Sequence, residues 1–236
     1  MFVDGVWRNV LLVVLCYAYV GVVIYLVGKI GQHGLFSPKS SRKFLHAMIG
    51  NLVFVMPFFT SSLYPVAVAA PFVFITFLAT PYSPFKSASL KMKKLVAITE
   101  EGDRFGLVFY SISYAILAVF FASRPYILAS GVLPMAYGDS AASIVGEKYG
   151  KRKYRVLASK SLEGSLAMLF VSLSSLIVGF VFFSAFYPLS VMRSVFFVVI
   201  TAFVATVVEG LSLLGFDNLT VPLLCASIFL LLNRGF

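Results

Sequence analysis

Apolar stretches long enough to cross a bilayer recur eight times along the chain, near residues 6–28, 44–60, 63–80, 104–123, 125–147, 161–187, 190–213 and 218–235. One helical span takes about 20 mostly apolar residues, so eight of them with short connections use nearly all of the 236 residues. With 60% hydrophobic and 12% charged residues, the chain is too apolar for an ordinary water-soluble domain. Its expected solvent is lipid. There the backbone must satisfy its own hydrogen bonds, and the stretches lack the alternating polar lining of a membrane barrel. The expected fold class is therefore all-α, a polytopic integral membrane helical bundle of about eight transmembrane helices, with seven to nine compatible with the pattern. Residues 1–236 read as one transmembrane domain. The first stretch, Val6 to Val27, exceeds a signal-peptide core and has no clear small-residue cleavage site behind it, which predicts a retained helix.

Charge predicts the orientation. Fifteen of the nineteen lysines and arginines fall in the first, third and fifth connections or at the helix ends beside them; Arg8, Arg124, Arg193 and Arg234 fall at the opposite ends. The positive-inside rule makes the basic face cytoplasmic and leaves both termini outside if there are eight spans. The net charge of +10 then follows from topology and attraction to anionic membrane lipids, with no need of a nucleic-acid partner. Within the third connection, residues 81–103 mix lysines with Phe85, Leu90, Leu95 and Val96, the composition of an amphipathic interfacial helix. The acids add more than topology. Eight of the nine, all except Asp4, project to that same basic half, although the rule does not sort acids. Opposite charges converging at one membrane face suggest a polar reaction chamber.

The two cysteines, Cys16 and Cys225, lie in apolar stretches near opposite ends of the chain, without metal-ligand spacing. His33 and His46 do not form a metalloprotease helix motif. Neither pair predicts a zinc site.

Candidate chemistry concentrates in a few segments. Asp139 lies two turns inside the fifth span, where a carboxylate costs about 2.5–3.5 kcal/mol and needs a partner or a bound cation. A hydrogen bond to a neighbouring helix is the plainer reading, and a Mg²⁺ ligand beside phosphate the sharper one. Gly138, Ala142 and Gly146 recur at every fourth position, so another helix can approach closely, and Ser143 shares a face with Asp139. Residues 147–165 then run as a basic, glycine-containing loop into the start of the sixth span. Arg152, Lys160 and Ser161 there would offer charges, free N–H groups and a helix dipole to a polyphosphate, with Glu163 in the first turn. Glu209, near the end of the seventh span, has no capping role to explain it, whereas Asp217 can cap the eighth helix with Pro222 near its first turn. At the second span Arg42 and His46 share a face with Asn51 a turn deeper; snorkelling to headgroups is the plainer role of Arg42 and Lys43. Glu100, Glu101 and Asp103 can pair with Arg104 and cap the fourth span.

Four stretches resemble the CTP-dependent polyprenol kinase family, which includes dolichol kinase, phytol kinase and CTP-dependent diacylglycerol kinase. They are Arg42-Lys43-Phe-Leu-His46, Gly138-Asp139-Ser-Ala-Ala-Ser143-Ile-Val-Gly146, Lys160-Ser161-Leu-Glu163-Gly164-Ser165, and Glu209 with Asp217-Asn218-Leu-Thr-Val-Pro222, in the family's order. The resemblance implies one transmembrane catalytic domain that transfers the γ-phosphate of CTP, with Mg²⁺, to the hydroxyl of a polyprenol-type alcohol or a diglyceride. Phosphoryl transfer needs positioning and charge neutralisation more than covalent help. On this reading Asp139 and Glu209 hold the metal, with Asp217 or Glu163 orienting the metal shell or the hydroxyl. Lys160, Arg152 and Arg42 embrace the phosphates, His46 binds phosphate or relays a proton, and Lys43, Ser161, Gly138, Ser143 and Asn218 complete the nucleotide site. A homo-oligomer is compatible with the sequence.

Two other readings use the same residues. A CTP-dependent lipid cytidylyltransferase resembles the chain around Gly146-Glu-Lys-Tyr-Gly150 and Lys160-Ser161, but carries a more acidic C-terminal signature than Glu209 to Pro222 provides. A transporter also places acids in the membrane, though usually near the midplane and often with inverted repeats. No repeat is visible here.

Overall fold

The computed structural model describes residues 2–32, 37–80, 82–85, 87, 105–213 and 215–234. Helices α1 (Phe2–Gln32), α2 (Pro38–Gly50), α3 (Leu63–Leu78), α4 (Gly106–Phe121), α5 (Pro125–Leu133), α6 (Asp139–Tyr149), α7 (Leu162–Ser184), α8 (Val191–Leu211) and α9 (Asp217–Arg234) pack as a helical bundle. The helical class expected from the sequence is what forms. Among the described residues two helices, α1 and α7, are by themselves long and apolar enough to cross a membrane, and four shorter apolar segments lie in α3, α4, α8 and α9.

Local chemistry explains where the helices start and bend. Ser37 caps α2 by accepting from the Ser40 N–H at 3.1 Å, and Pro38 occupies the first turn, where a missing N–H is harmless. The helical path continues beyond α2 as a 3₁₀ segment, Asn51–Phe58, so the expected second span is two helix types in series. The expected fifth span is also composite. Between α5 and α6, Pro134–Gly138 forms a π turn that begins at the proline and closes with the Asp139 N–H bonded to the Pro134 carbonyl. Proline removes a helix donor and crowds the preceding turn, and the wider π ring accommodates it. Such a turn rotates everything downstream, Asp139 first.

The expected close helix contact is present. A methyl group on Gly138 would collide with Ser172 Oγ and Met168 of α7, and Gly146 faces the Cα of Gly164 at 3.7 Å from where its own Cβ would stand. Small residues on the π turn and α6 thus let α7 lie against their backbone. The interior is apolar, with Leu133, Met135, Met168, Leu176, Phe183 and Phe229 almost fully buried. The outside is apolar too: Trp7, Tyr25, Phe74, Phe120, Val181, Phe203 and Leu231 are 61–73% exposed, an arrangement suited to lipid and unfavourable in water.

One segment departs from expectation. The basic stretch before α7 is a two-stranded antiparallel hairpin rather than an irregular loop, with β1 (Lys153–Arg155) paired to β2 (Ser159–Ser161) in the register Lys153↔Ser161, Tyr154↔Lys160 and Arg155↔Ser159. The interfacial helix expected within 81–103, and the acids Glu100, Glu101 and Asp103 with Arg104, lie outside the described residues.

Candidate active site

Where α2, α6, the hairpin, α7, α8 and the start of α9 meet, they enclose a cavity of about 390 Å³. Each helix brings its polar group to this end by its own logic. The π turn delivers Asp139 as the first residue of α6. α8 carries Glu209 two residues before its end. After α8 the chain turns at Gly215, whose φ of 84° lies in the left-handed region open to glycine, and α9 then begins at Asp217. All three carboxylates are buried, and one oxygen from each lies within 4.8 Å of the others. Three negative charges so close repel strongly in a low-dielectric interior and require cations.

Two lysines pair with these carboxylates directly. Lys43, on α2, donates to the Asp139 carboxylate, both side chains being 5% exposed. Lys160, on β2, donates to Glu209 and lies 3.5 Å from Asp217 Oδ2. Burial favours the neutral amine of Lys160, but Glu209 and Asp217 outweigh it and hold the ammonium above the ordinary lysine pKa. Arg42 lines the same cavity and is 3% exposed. Three oxygen ligands in a site already rich in cationic donors form a set that could hold a hard divalent cation next to phosphate oxygens.

The supports are specific. Ser140 donates to the Lys43 carbonyl at 2.8 Å and ties α6 to α2. Ser161 caps α7 by accepting from the Gly164 N–H at 3.2 Å. The two oxygens of Asp217 divide their work: Oδ1 accepts from the Asn218 N–H at 3.0 Å, and Oδ2 faces Lys160. One oxygen thus serves the local backbone while the other faces the cavity.

Over 210 residues, 87% of this chain and 84% of the other, the sequence is 31% identical to the phytol kinase of Synechocystis sp.. The chain belongs to the polyprenol and phytol kinase family. It is also 32% identical over 207 residues to the probable chloroplastic phytol kinase of Triticum aestivum, covering 81% of this chain and 67% of that one. With the chloroplastic farnesol kinase of Arabidopsis thaliana it shares 27% identity over 151 residues, 60% of this chain and 47% of that one. No family model and no solved structure matches the chain.

In this polyprenol kinase family member, the residues singled out from sequence divide into two groups. Asp139, Glu209, Asp217, Lys160, Lys43, Arg42, Ser143 and Ser161 all line the cavity. Glu163, His46, Arg152, Gly138 and Asn218 do not. The Glu163 carboxylate turns to the base of the hairpin and accepts from the Arg152 N–H at 3.2 and 3.3 Å. His46 is fully buried behind Lys43, its ring 4.6 Å from that of Tyr110 and neither nitrogen hydrogen-bonded among the described residues. Arg152 is exposed at the base of the hairpin, and Gly138 serves the contact with α7. Asn218 is buried beneath Asp217, its amide 3.4 Å from the Gly215 carbonyl.

The sequence reading missed Lys43 as the partner of Asp139, because 96 residues separate them. It also missed Tyr154 and Gly210, and in the hairpin segment only a short alternation hints at strands. Asn51, placed deeper on the α2 face, joins a hydrogen-bond chain instead: Tyr137 donates to Asn51, which donates to Tyr19 at 3.1 Å, and Tyr19 donates to the Met48 carbonyl at 2.8 Å.

Proposed function

We propose that this chain is a multi-pass membrane kinase that transfers the γ-phosphate of CTP to the hydroxyl of an isoprenoid alcohol of the phytol or farnesol type. The observation that carries this reading is the convergence of Asp139, Glu209 and Asp217 with Lys43 and Lys160 in one cavity at the end of an apolar bundle. The relatives named as phytol and farnesol kinases support the acceptor class. The resemblance of the motifs supports CTP as donor over ATP. Phytol-type chains are favoured over dolichol or diacylglycerol because the named relatives act on the former.

The chemistry follows from the residues. Asp139, Glu209 and Asp217 would hold Mg²⁺, which when bound neutralises charge on the donor phosphates. Lys43, Lys160 and Arg42 surround the same space and bind phosphate oxygens, as cationic side chains do in other phosphoryl-transfer sites. Ser143 and Ser161 add hydroxyl donors on the cavity wall. The alcohol oxygen attacks the γ-phosphorus, its bond forms as the bond to the β-bridging oxygen breaks, and CDP departs. The hydroxyl proton passes to a carboxylate of the cluster. His46, fully buried and outside the cavity lining, packs its ring against Tyr110 and would not touch the substrate.

Eight membrane crossings, with the basic face cytoplasmic and both termini outside, accord with the distribution of lysine and arginine. A lipid substrate then reaches the cavity from within the bilayer while the nucleotide arrives from the water. The decisive assay incubates the purified protein with Mg²⁺, labelled CTP or ATP, and a panel of phytol, farnesol, dolichol and diacylglycerol. Prenyl monophosphate with CDP is the expected product pair. Pyrophosphate release would instead mark a cytidylyltransferase.

A further inference from the structure

Lys160 depends on its cross-strand partner for its aim. In an antiparallel pair, directly opposed residues project from the same face of the ribbon, and Tyr154 opposes Lys160. While Lys160 reaches Glu209, the Tyr154 hydroxyl lies 2.6 Å from Ser165 Oγ on α7. It also abuts Gly210, the residue after Glu209: a methyl group there would stand 2.9 Å from Tyr154 Oη and 3.9 Å from Cζ, the contacts it would make outside its own helix among the described residues. The side chain thus bridges both helices that form this wall of the cavity. Two strands of three residues have little stability of their own, so the hairpin needs such an anchor.

We propose that Tyr154, Ser165 and Gly210 form a socket that docks the hairpin and sets Lys160 over Glu209 and Asp217. Tyr154 and Gly210 are positioning residues and touch no substrate. The inference rests on the reading of Lys160 as a phosphate-binding group and adds what fixes its position. Gly210 is glycine because the phenol hydroxyl occupies the space of its side chain. Tyrosine at 154 places a hydroxyl at hydrogen-bond distance from Ser165, which phenylalanine would not.

The geometry makes an unusual genetic prediction. Gly210→Ala presses its methyl on the Tyr154 hydroxyl, which must yield by a few tenths of an ångström, straining its bond to Ser165 and shifting the hairpin that carries Lys160. As a result kcat/KM should fall roughly tenfold, short of the roughly hundredfold that a full ångström of misplacement costs. Tyr154→Phe removes the obstacle and leaves the new methyl at the ordinary 3.9 Å contact with Cζ. The Gly210→Ala/Tyr154→Phe double variant should therefore be more active than Gly210→Ala alone, most of its recovery appearing in the KM for nucleotide. Tyr154→Phe and Ser165→Ala should each cause the same several-fold loss, without further loss when combined.

The proposal is overturned if Gly210→Ala is fully active, or if adding Tyr154→Phe makes it worse. Should Gly210→Ala fail to elute as a monodisperse peak, the Tyr154/Ser165 cycle decides alone, and additive losses overturn the socket. Lys160→Met, assayed in parallel, separates the two levels. Full activity of that variant removes the phosphate-binding role, whereas its inactivity combined with no recovery in the double variant removes only the socket.

Discussion

Lys43 on α2 and Asp139 on α6 form an ion pair with each side chain 5% exposed, and the Ser140 hydroxyl fastens the next residue of α6 to the Lys43 carbonyl. The pair is therefore both a helix-to-helix fastening and one side of the cavity. Removing one partner of a buried pair strands the other charge, at a cost of about 3–5 kcal/mol. Lys43→Met should lower the thermal midpoint in detergent accordingly. The Lys43→Met/Asp139→Asn double variant should regain most of that stability while remaining inactive, because the carboxylate needed for turnover is gone. Thermal unfolding and phosphorylation assays run on the same preparations separate the two effects.

Lys160 sits against Glu209 and near Asp217, so the carboxylate cluster already holds a protein cation. A divalent cation entering alone must displace that ammonium, whereas one arriving on a polyphosphate gives the ammonium new oxygens to bind. Mn²⁺ monitored by electron paramagnetic resonance should bind weakly to the protein alone and more tightly when CTP is added. Lys160→Met should tighten binding of Mn²⁺ alone, and Glu209→Gln should weaken binding in the presence of CTP by more than the roughly 10–100-fold typical of supporting groups around a metal. Chelation should abolish turnover and Mg²⁺ restore it. Equal Mn²⁺ affinity with and without CTP would contradict this account.

How much of this was legible in the sequence depended on what each residue costs in lipid. Asp139 and Glu209 stood out because an intramembrane carboxylate is expensive, and the structure gathers both with Asp217. The Gly138, Ala142, Gly146 spacing announced a close helix contact, now seen to be with α7. Periodicity said which face of α2 Arg42 and His46 share but not how deep that face lies, so His46 was expected at the phosphates and is enclosed behind Lys43. The hairpin escaped notice because strands of three residues carry almost no periodic signal, and their pairing depends on anchors on other helices. Glu163 offers a charge in the sequence, whereas its carboxylate accepts from backbone N–H groups, that of Arg152 among them, which a sequence pattern does not display.

Glu163 gives a clean separation of charge from geometry. A glutamine side chain retains a carbonyl oxygen that can accept from the Arg152 N–H, and alanine does not. Glu163→Gln should therefore keep activity within a few-fold, while Glu163→Ala loosens the base of the hairpin and raises the KM for nucleotide by several-fold, in line with about 0.5–1.5 kcal/mol for one hydrogen bond. A complete loss of turnover in Glu163→Gln would return that carboxylate to the chemistry.

Gly138 tests whether the contact between α6 and α7 sets the position of Asp139. Any Cβ at this position would meet Ser172 Oγ and come within 2.8 Å of Met168 Sδ, both on the buried face of α7. The helices would have to separate at the residue immediately before Asp139, in the π turn that aims it. Overpacking of this kind costs about 1–3 kcal/mol, so Gly138→Ala should lower the thermal midpoint and also reduce kcat. Adding Ser172→Gly removes the nearer obstacle and leaves the Met168 side chain, which can move aside, and the Met168 carbonyl at 3.3 Å, a tight contact that needs only a small adjustment. The double variant should then recover both stability and kcat relative to Gly138→Ala. Recovery of stability without kcat would show that the π turn, once disturbed, does not return Asp139 to its place opposite Lys43.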